Sequence, residues 1–384
     1  MESQKKKILL IPGWWPCQFF MDPSMLLSDI YDTYVLHGEC IPLPLKQIQK
    51  YTKCCIKATN EREVQVQMCW LRYKTRWAHK YQHTRLVNVI DQAVKALMGN
   101  ELPNVVSIQS LSSLAPFVVD WAHQNGIKVI MTEHQLHFRI LADPFPALMY
   151  SVYGKVDKLL CVSNYLYRNL LINEFGIDKA TVIGNLVDDV NLDTQKLAIK
   201  KDCNRIIFVA GHPHSKDLHI LFEVASLLQV DTNYEIDIVG MSEQQICLDG
   251  KTIGYHIKEK NLYNLRCLGK HAHDELLQIY PNYAMLLSTS RSETFGISVA
   301  EAILNGLPVV CTDNGGCHEF VHDTNGVIAN IRDPRSICEA VLQVMQNIKD
   351  GKYNPLEMSS EIRNKYGRKA YRERILPIYE QYAN

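Results

Sequence analysis

The chain has 384 residues, 47% of them apolar, and carries 41 basic against 41 acidic side chains. That length exceeds what one ordinary core takes, so two domains are expected, and the balanced charge argues against a general nucleic-acid binder. The Lys5-Lys6-Lys7 run passes straight into Ile8-Leu9-Leu10-Ile11, which reads as a first strand, too short for a signal segment or a membrane span.

Strand-like runs then alternate with helical patterns along the whole length, which predicts an α/β architecture with parallel sheets. After Lys7 to Pro12, the first half offers strands at Val64 to Trp70, Val105 to Gln109, Lys128 to Glu133, Lys158 to Ser163 and Thr181 to Gly184. Ser112 to Gln124 reads as a helix with serine caps before it and Gly126 after it. The second half offers Arg205 to Gly211, Glu235 to Gly240, Arg266 to Gly269, Ala284 to Ser288, Pro308 to Thr312 and Gly326 to Ala329. Two successive six-strand sets predict twin doubly wound domains, with the polar stretch 189–202 as their connection. Ser360 to Tyr382 is a basic helical pattern with Pro377 near its end. The twelve cysteines fall on predicted strands as often as in loops and form no C-x-x-C pair, so buried free thiols in a reducing cytoplasm are expected.

Residues 70–85 hold Arg72, Lys74, Arg76, Lys80 and Arg85 beside Trp70, Tyr73, Trp77 and Tyr81, with no acidic side chain. On a helix, Tyr73, Trp77 and Tyr81 share one face. Such a face suits either packing on the sheet or peripheral contact with an anionic membrane, where a lipid-linked acceptor would lie.

The stretch that carries chemistry runs from Ser290 to Ala302. It follows the apolar run 284–288 and precedes Asn305-Gly306-Leu307-Pro308-Val309-Val310. Glu293 and Glu301 bracket a Phe295-Gly296 turn that opens a helix at Ile297. Gly296 admits close ligand approach, and the helix N-terminus presents unpaired N–H groups and a partial positive charge. A phosphate over Ile297 and Ser298 would be held there, with Thr294 and the two carboxylates to either side for sugar hydroxyls. That is the pattern a nucleotide-sugar requires: hydroxylated sugar, diphosphate, hydroxylated ribose.

In these residues the chain resembles the retaining glycosyltransferases of family 4, whose E-x7-E motif matches Glu293 and Glu301. The match continues through Gly306-Leu307-Pro308-Val309-Val310 and Gly315-Gly316-x-x-Glu319. The resemblance implies a GT-B fold, α/β with two Rossmann-like doubly wound domains facing across a cleft. The acceptor-binding domain would span 1–188, joined by the C-terminal helix at 360–384; the linker 189–202 would lead to a donor-binding domain at 203–359. It further implies a retaining, metal-independent transferase that moves a hexose from a nucleotide-diphosphate sugar to a glycan or lipid-linked acceptor in cell-surface polysaccharide synthesis. No cofactor beyond the sugar nucleotide is implied, and the location would be cytoplasmic, at the inner face of the membrane. An epimerase or hydrolase acting on the same donor, and a nucleotide-sugar-binding protein without turnover, are the competing readings. A Rossmann dehydrogenase is disfavoured because no G-x-G-x-x-G follows a predicted strand.

The same resemblance assigns the remaining residues. Gly13-Trp14-Trp15-Pro16 corresponds to the family's opening loop on the acceptor side, without the usual glycine pair, and His134, at the end of a strand, lies where the family has a histidine beside the reaction centre. His137 is a weaker candidate. Gly184-Asn185-Leu186-Val187-Asp188 matches another family segment, with Gly184 in place of the usual proline. In Gly211-His212-Pro213-His214-Ser215-Lys216 the family carries Arg and Lys against the donor diphosphate; Lys216 matches and His212 replaces the arginine. Because an unperturbed imidazole has a pKa of about 6.5, donor affinity is expected to weaken as pH rises through neutrality, and a flat affinity profile would refute this. Gly240 and the turn after Leu268 are expected near the nucleotide base. His212/His214 and His271/His273 are weak metal-ligand pairs at that spacing, and no metal is expected.

Overall fold

The computed structural model describes residues 5–13, 25–43, 55–71, 76–135, 146–168, 180–199, 203–211 and 216–383. They form two units, Met1–Gly184 with Arg372–Asn384, and Asn185–Tyr371.

The first unit is built on an eight-stranded sheet of β1 (Lys6–Pro12), β2 (Tyr31–Leu43), β3 (Cys55–Asn60), β4 (Glu63–Leu71), β5 (Val105–Gln109), β6 (Lys128–Glu133), β7 (Lys158–Cys161) and β8 (Ala180–Val182). Their order is β3-β4-β2-β1-β5-β6-β7-β8, parallel throughout except for β3, which pairs antiparallel with β4. Helices α1 (Arg76–Met98), α2 (Ala115–Gln124) and α3 (Pro146–Lys155) connect strands. The central strands read as unbroken apolar runs because both faces are covered; β5 is buried at every position.

Two strands go beyond the six expected. In β2 the apolar run is broken by Gly38, at φ 143°, and by Pro42, so its composition hides thirteen residues of strand. A Cβ on Gly38 would run into the carbonyl of Val66 on β4, and only glycine permits that pairing. In β3 nearly every side chain is exposed, as an edge hairpin strand allows, so no buried pattern marks it. The helix expected from Ser112 starts later, at Ala115, with Leu114 as an N-cap that supplies no side-chain bond and a proline in its first turn. Ser113 instead accepts from the N–H of Cys40 at 2.9 Å.

The second unit holds β9 (Arg205–Val209), α4 (Leu218–Asp231), β10 (Glu235–Val239), α5 (Ile253–Glu259), β11 (Leu265–Gly269), α6 (His273–Ile279), β12 (Met285–Ser288), α7 (Ile297–Leu304), β13 (Val309–Thr312), β14 (Gly326–Ala329), α8 (Pro334–Lys349), α9 (Pro355–Tyr366) and α10 (Arg368–Tyr382). Its six strands are all parallel, in the order β11-β10-β9-β12-β13-β14. This is the doubly wound order in which the winding reverses between the first and fourth strands. α8 shows why such segments become helices: Asp333 caps the N–H groups of Arg335 and Ser336, Pro334 opens the first turn, and Ile337, Ala340, Val341, Val344, Met345 and Ile348 form the buried stripe.

The polar stretch after Gly184 is tied to the following helices by charge: Arg368 donates to Asp188 at 3.1 Å and Arg363 to Asp189 at 3.1 Å. α10 passes from the second unit into the first. There Tyr379 is buried with its hydroxyl 2.6 Å from that of Ser107, and Arg372 holds Asp29 through two bonds. Cys40, Cys161, Cys247, Cys311 and Cys317 are buried free thiols, and Cys55, Cys203, Cys267 and Cys338 are free thiols nearer the surface. Among the described residues no helix is long and apolar enough to cross a membrane.

Candidate active site

In the second unit the winding reverses between β9 and β12, and the loops leaving these two strands form the crevice where ligands of such sheets collect. The hydroxyl of Thr289, directly after β12, donates to the carbonyl of Lys216 at 2.7 Å, which pins the loop after β9 to the loop after β12. Lys216 then places its Nζ 2.6 Å from Oε1 of Glu293, and the Ser290 hydroxyl donates to the same oxygen at 2.8 Å. Both partners of this ion pair keep some access to solvent, with side chains 14% and 18% exposed. They are 77 positions apart in sequence, and only the adjacency of the two strands joins them.

Glu293 is also held through its backbone. Its N–H donates to Asn314 at 3.0 Å, and its carbonyl accepts from Gly316 at 2.9 Å. Gly315 takes φ 93°, and a Cβ on Gly316 would stand 2.6 Å from the Phe295 nitrogen and 2.7 Å from the Glu293 oxygen. The glycine pair therefore allows the chain to close against the Glu293 loop, a contact any side chain would force apart.

Gly296 is the N-cap of α7 at φ 92°, a left-handed conformation that favours glycine, and with no side chain it caps nothing. The first-turn N–H groups at Ile297 and Ser298 have no acceptor within the helix, and half-buried Thr294 precedes the turn. Phe295, 1% exposed, anchors this turn between the rings of Phe320 and Tyr366, at 5.1 and 5.0 Å. The Lys216 ammonium thus meets Glu293 directly and the positive end of α7 opens three residues further along the chain, an arrangement suited to an anion flanked by hydroxyls.

Glu301 occupies a different environment. It is 3% exposed, and its Oε1 lies 2.7 Å from His273 Nε2 while its Oε2 accepts from Tyr280 at 3.4 Å. The Glu301 carboxylate holds the His273 imidazole above its ordinary value, with burial opposing. A histidine raised in this way stabilises the fold fully below its unfolded pKa of about 6.5 and loses that contribution as pH rises through the folded value. Urea denaturation of Glu301→Gln beside the parent chain should therefore show a smaller loss of stability from mildly acid to mildly alkaline pH in the variant. Equal losses would mean that the pair carries no charge.

Of the other predicted donor-side residues, Gly211 stands two residues after β9 and is exposed. Gly240, at φ 99°, could carry no Cβ without meeting the Ala210 carbonyl at 2.5 Å, and its N–H donates to Gly269 at 2.7 Å. His212 and His214 lie outside the described residues. His271 and His273 do not converge: His271 faces Glu275 at 3.6 Å, while His273 turns to Glu301.

In the first unit, the same reversal falls between β1 and β5. Gly13 follows β1 so closely on β5 that a Cβ would collide with the Gln109 carbonyl oxygen. His134, just after β6, sets its Nε2 3.0 Å from the Gln109 side-chain oxygen, and its N–H donates to the Ser110 hydroxyl at 3.1 Å. Gly13 and His134 are thus brought to one end of one sheet, around Gln109 and Ser110. Trp14, Trp15 and His137 lie outside the described residues. In the 70–85 segment, Tyr81 is 66% exposed and stands beside exposed Lys80 and Arg85.

Sequence reasoning missed several supporting side chains. Buried Glu133 accepts from the N–H groups of Leu111, His134 and Gln135 and from the Tyr153 hydroxyl, and so shapes the His134 loop. Asp217, 3% exposed and in a left-handed conformation at φ 43°, receives a two-pronged bond from Arg291 at 2.7 and 3.0 Å. That pair adds a second tie between the Lys216 and Glu293 loops. Both residues lie inside motif segments, yet only an unusual backbone conformation, which spacing does not show, marks Asp217.

The family model described as glycosyl transferases group 1 matches residues 189–371, and that described as glycosyltransferase family 4 matches 57–190. An uncharacterized glycosyltransferase of Methanocaldococcus jannaschii is 26% identical over 340 residues, covering 84% of this chain and 89% of its own. A phosphatidylinositol N-acetylglucosaminyltransferase subunit from Arabidopsis thaliana is 23% identical, covering 75% of this chain and 64% of its own. Among solved structures, sucrose-phosphate synthase from Thermosynechococcus elongatus superposes with a TM-score of 0.70 at 14% identity, over 98% of this chain and 99% of that one. With the two sheets wound as described and family sequence on both sides of residue 190, the chain belongs to the group 1 glycosyltransferases and has their GT-B fold.

Proposed function

We propose that the protein is a retaining hexosyltransferase that takes a nucleotide-diphosphate sugar as donor and a glycan or lipid-linked molecule as acceptor, in cell-surface polysaccharide synthesis. The observation that carries this reading is the Lys216–Glu293 ion pair at the β9/β12 crevice, beside the uncapped N-terminus of α7. A diphosphate entering there exchanges one carboxylate partner of Lys216 for its own oxygens and meets the Ile297 and Ser298 N–H groups. Glu293 is then released toward the sugar hydroxyls.

In the proposed reaction the acceptor hydroxyl approaches the anomeric carbon from the face the diphosphate leaves. The bond from that carbon to the phosphate oxygen breaks, a bond to the acceptor oxygen forms, and the departing phosphate oxygen takes the acceptor's proton. Lys216, the helix end and His212 stabilise the charge on the leaving group, which removes the need for a metal ion or another cofactor. Gly211 and Gly240 border the nucleotide, the His273–Glu301 pair meets the ribose, and Gly13, Trp14, Trp15 and His134 line the acceptor side. The exposed Lys80, Tyr81 and Arg85 supply a peripheral contact with the inner face of an anionic membrane, consistent with a cytoplasmic location.

A panel of nucleotide-sugars scored by thermal shift, followed by mass spectrometry and anomeric NMR of the product with candidate acceptors, tests the proposal. One stabilising donor, a hexose added to an acceptor with the donor's anomeric configuration, and activity unaffected by a chelator are expected. An inverted product overturns retention. Free sugar or an epimerised donor in the absence of acceptor would favour the hydrolase or epimerase reading.

A further inference from the structure

In the second unit, at the start of α4, three side chains with metal-binding atoms converge. We propose that His219, Asp249 and His256 form a site for one divalent transition-metal ion of the zinc class, which fastens the loop between β10 and α5 to the first turn of α4. The ligand atoms of the three lie within 4.8 Å of one another, and among the described residues no other trio of His, Cys, Asp or Glu comes together in this way. Pairs elsewhere in the chain, such as His83–Asp120, His123–Asp157 and His318–Asp313, each join one imidazole to one carboxylate; here a second imidazole is added.

The geometry is close to what zinc requires. Tetrahedral coordination at about 2.0–2.1 Å from the metal sets ligand atoms about 3.3 Å apart. His256 Nε2 is already 3.1 and 3.3 Å from the two oxygens of Asp249. The His219 ring stands nearly perpendicular to that of His256, with centroids 5.2 Å apart and planes at 83°, and its ligand nitrogen lies within 4.8 Å of the other ligand atoms.

Two of the three ligands are held in place before any ion arrives. His256 is 4% exposed and stacks on Phe222 at 4.9 Å, which fixes the plane of its imidazole. Its Nε2 is turned to the Asp249 carboxylate and its Nδ1 away from it, toward Glu259 Oε2 at 3.9 Å, so an ion between His256 and Asp249 takes the place of the Nε2 proton that the two now share. Asp249 sits at the tip of a tight turn, where Gly250 donates to Cys247 at 3.1 Å and Lys251 donates to the Asp249 carboxylate at 3.1 Å. The nearby cation Lys251 is engaged by Glu259 at 3.7 Å and lies over the Tyr255 ring. Two imidazoles and one carboxylate suit zinc, cobalt or nickel better than magnesium or calcium, which prefer an all-oxygen set. Asp249 is exposed and His219 half-buried, so an ion and a completing water have access.

The test uses the full chain, stripped of metal by a chelator and titrated with zinc in calorimetry and in competition with a chromophoric chelator. One ion per chain is expected, with affinity at least tenfold weaker in His219→Ala and in Asp249→Asn. Zinc should raise the melting temperature of the parent protein and leave that of both variants unchanged, while all three melt alike without metal. If His219→Ala folds poorly, His219→Gln repeats the comparison with a side chain of similar size. The proposal is overturned if no one-to-one saturation occurs, or if the variants bind zinc as tightly as the parent, which would place the metal elsewhere and leave His256–Asp249 a simple ion pair. None of these readouts depends on sugar transfer, so they stand or fall apart from the proposed activity.

Discussion

Replacing Lys216 by alanine is expected to lower the turnover of sugar transfer by about 10²–10³-fold, the usual cost of removing one fixed donor from a developing oxyanion. Its affinity for nucleoside diphosphate should fall as well, since a charge-assisted hydrogen bond is worth about 1.5–3 kcal/mol. The structural reason is that Lys216 is a fixed cation. Its carbonyl is held by Thr289, the neighbouring Asp217 is clamped by Arg291, and its ammonium is already aimed at Glu293. The effect is larger because His212 stands where relatives are expected to carry an arginine, which leaves Lys216 and the end of α7 with more of the diphosphate charge. Steady-state kinetics with the donor that the nucleotide-sugar panel selects, together with calorimetry of nucleoside diphosphate, measure both quantities. Lys216→Arg should recover part of each. Unchanged turnover in Lys216→Ala would remove Lys216 from the donor site.

Glu293→Gln is expected to reduce transfer by about 10–100-fold through loss of a charged acceptor for sugar hydroxyls, while nucleoside diphosphate binds within about threefold of the parent value. Glutamine has nearly the shape of glutamate and can still accept from Ser290 and Lys216, so the loop keeps its geometry. The discriminating quantity is the difference between two ligands. If nucleotide-sugar and nucleoside diphosphate lose affinity equally, the placement of Glu293 on the sugar side is wrong. The ion pair adds a condition that motif spacing does not contain. Glu293 pairs with Lys216 before the donor arrives, so removing its charge leaves a weaker competitor for the ammonium, and diphosphate affinity has no reason to fall.

Much of this arrangement is legible in the amino-acid order. Buried parallel strands are continuous apolar runs, which is why β5, β6, β9, β12 and β13 are found where composition puts them, with ends trimmed by a residue or two. Gly296 is legible as the opening of α7 because a left-handed turn into a helix favours glycine. β3 is not, because an exposed edge strand needs no apolar face, and β2 is hidden by a glycine and a proline that its pairing with β4 tolerates. The serines before α2 suggest too early a start, because Ser113 caps nothing and spends its oxygen on the N–H of Cys40, 73 positions away. The buried carboxylate of Glu133 is visible in sequence only as a neighbour of His134, since nothing in a strand-end tripeptide shows that three N–H groups will turn toward it.

By itself, the amino-acid order therefore dictates the local events: which runs become strands, where helix ends stand open, and which carboxylates flank the Gly296 turn. Those follow from periodicity and from backbone preferences that act over a few residues. Only the tertiary structure decided the partners. Glu293 meets Lys216, Arg291 meets Asp217, Glu301 meets His273, and His219 meets His256, because the strand order sets loops from distant parts of the chain side by side. The two glutamates that spacing presents as equals thus differ in what they touch: Glu293 remains at the crevice with a cation, and Glu301 is buried against an imidazole and a phenol.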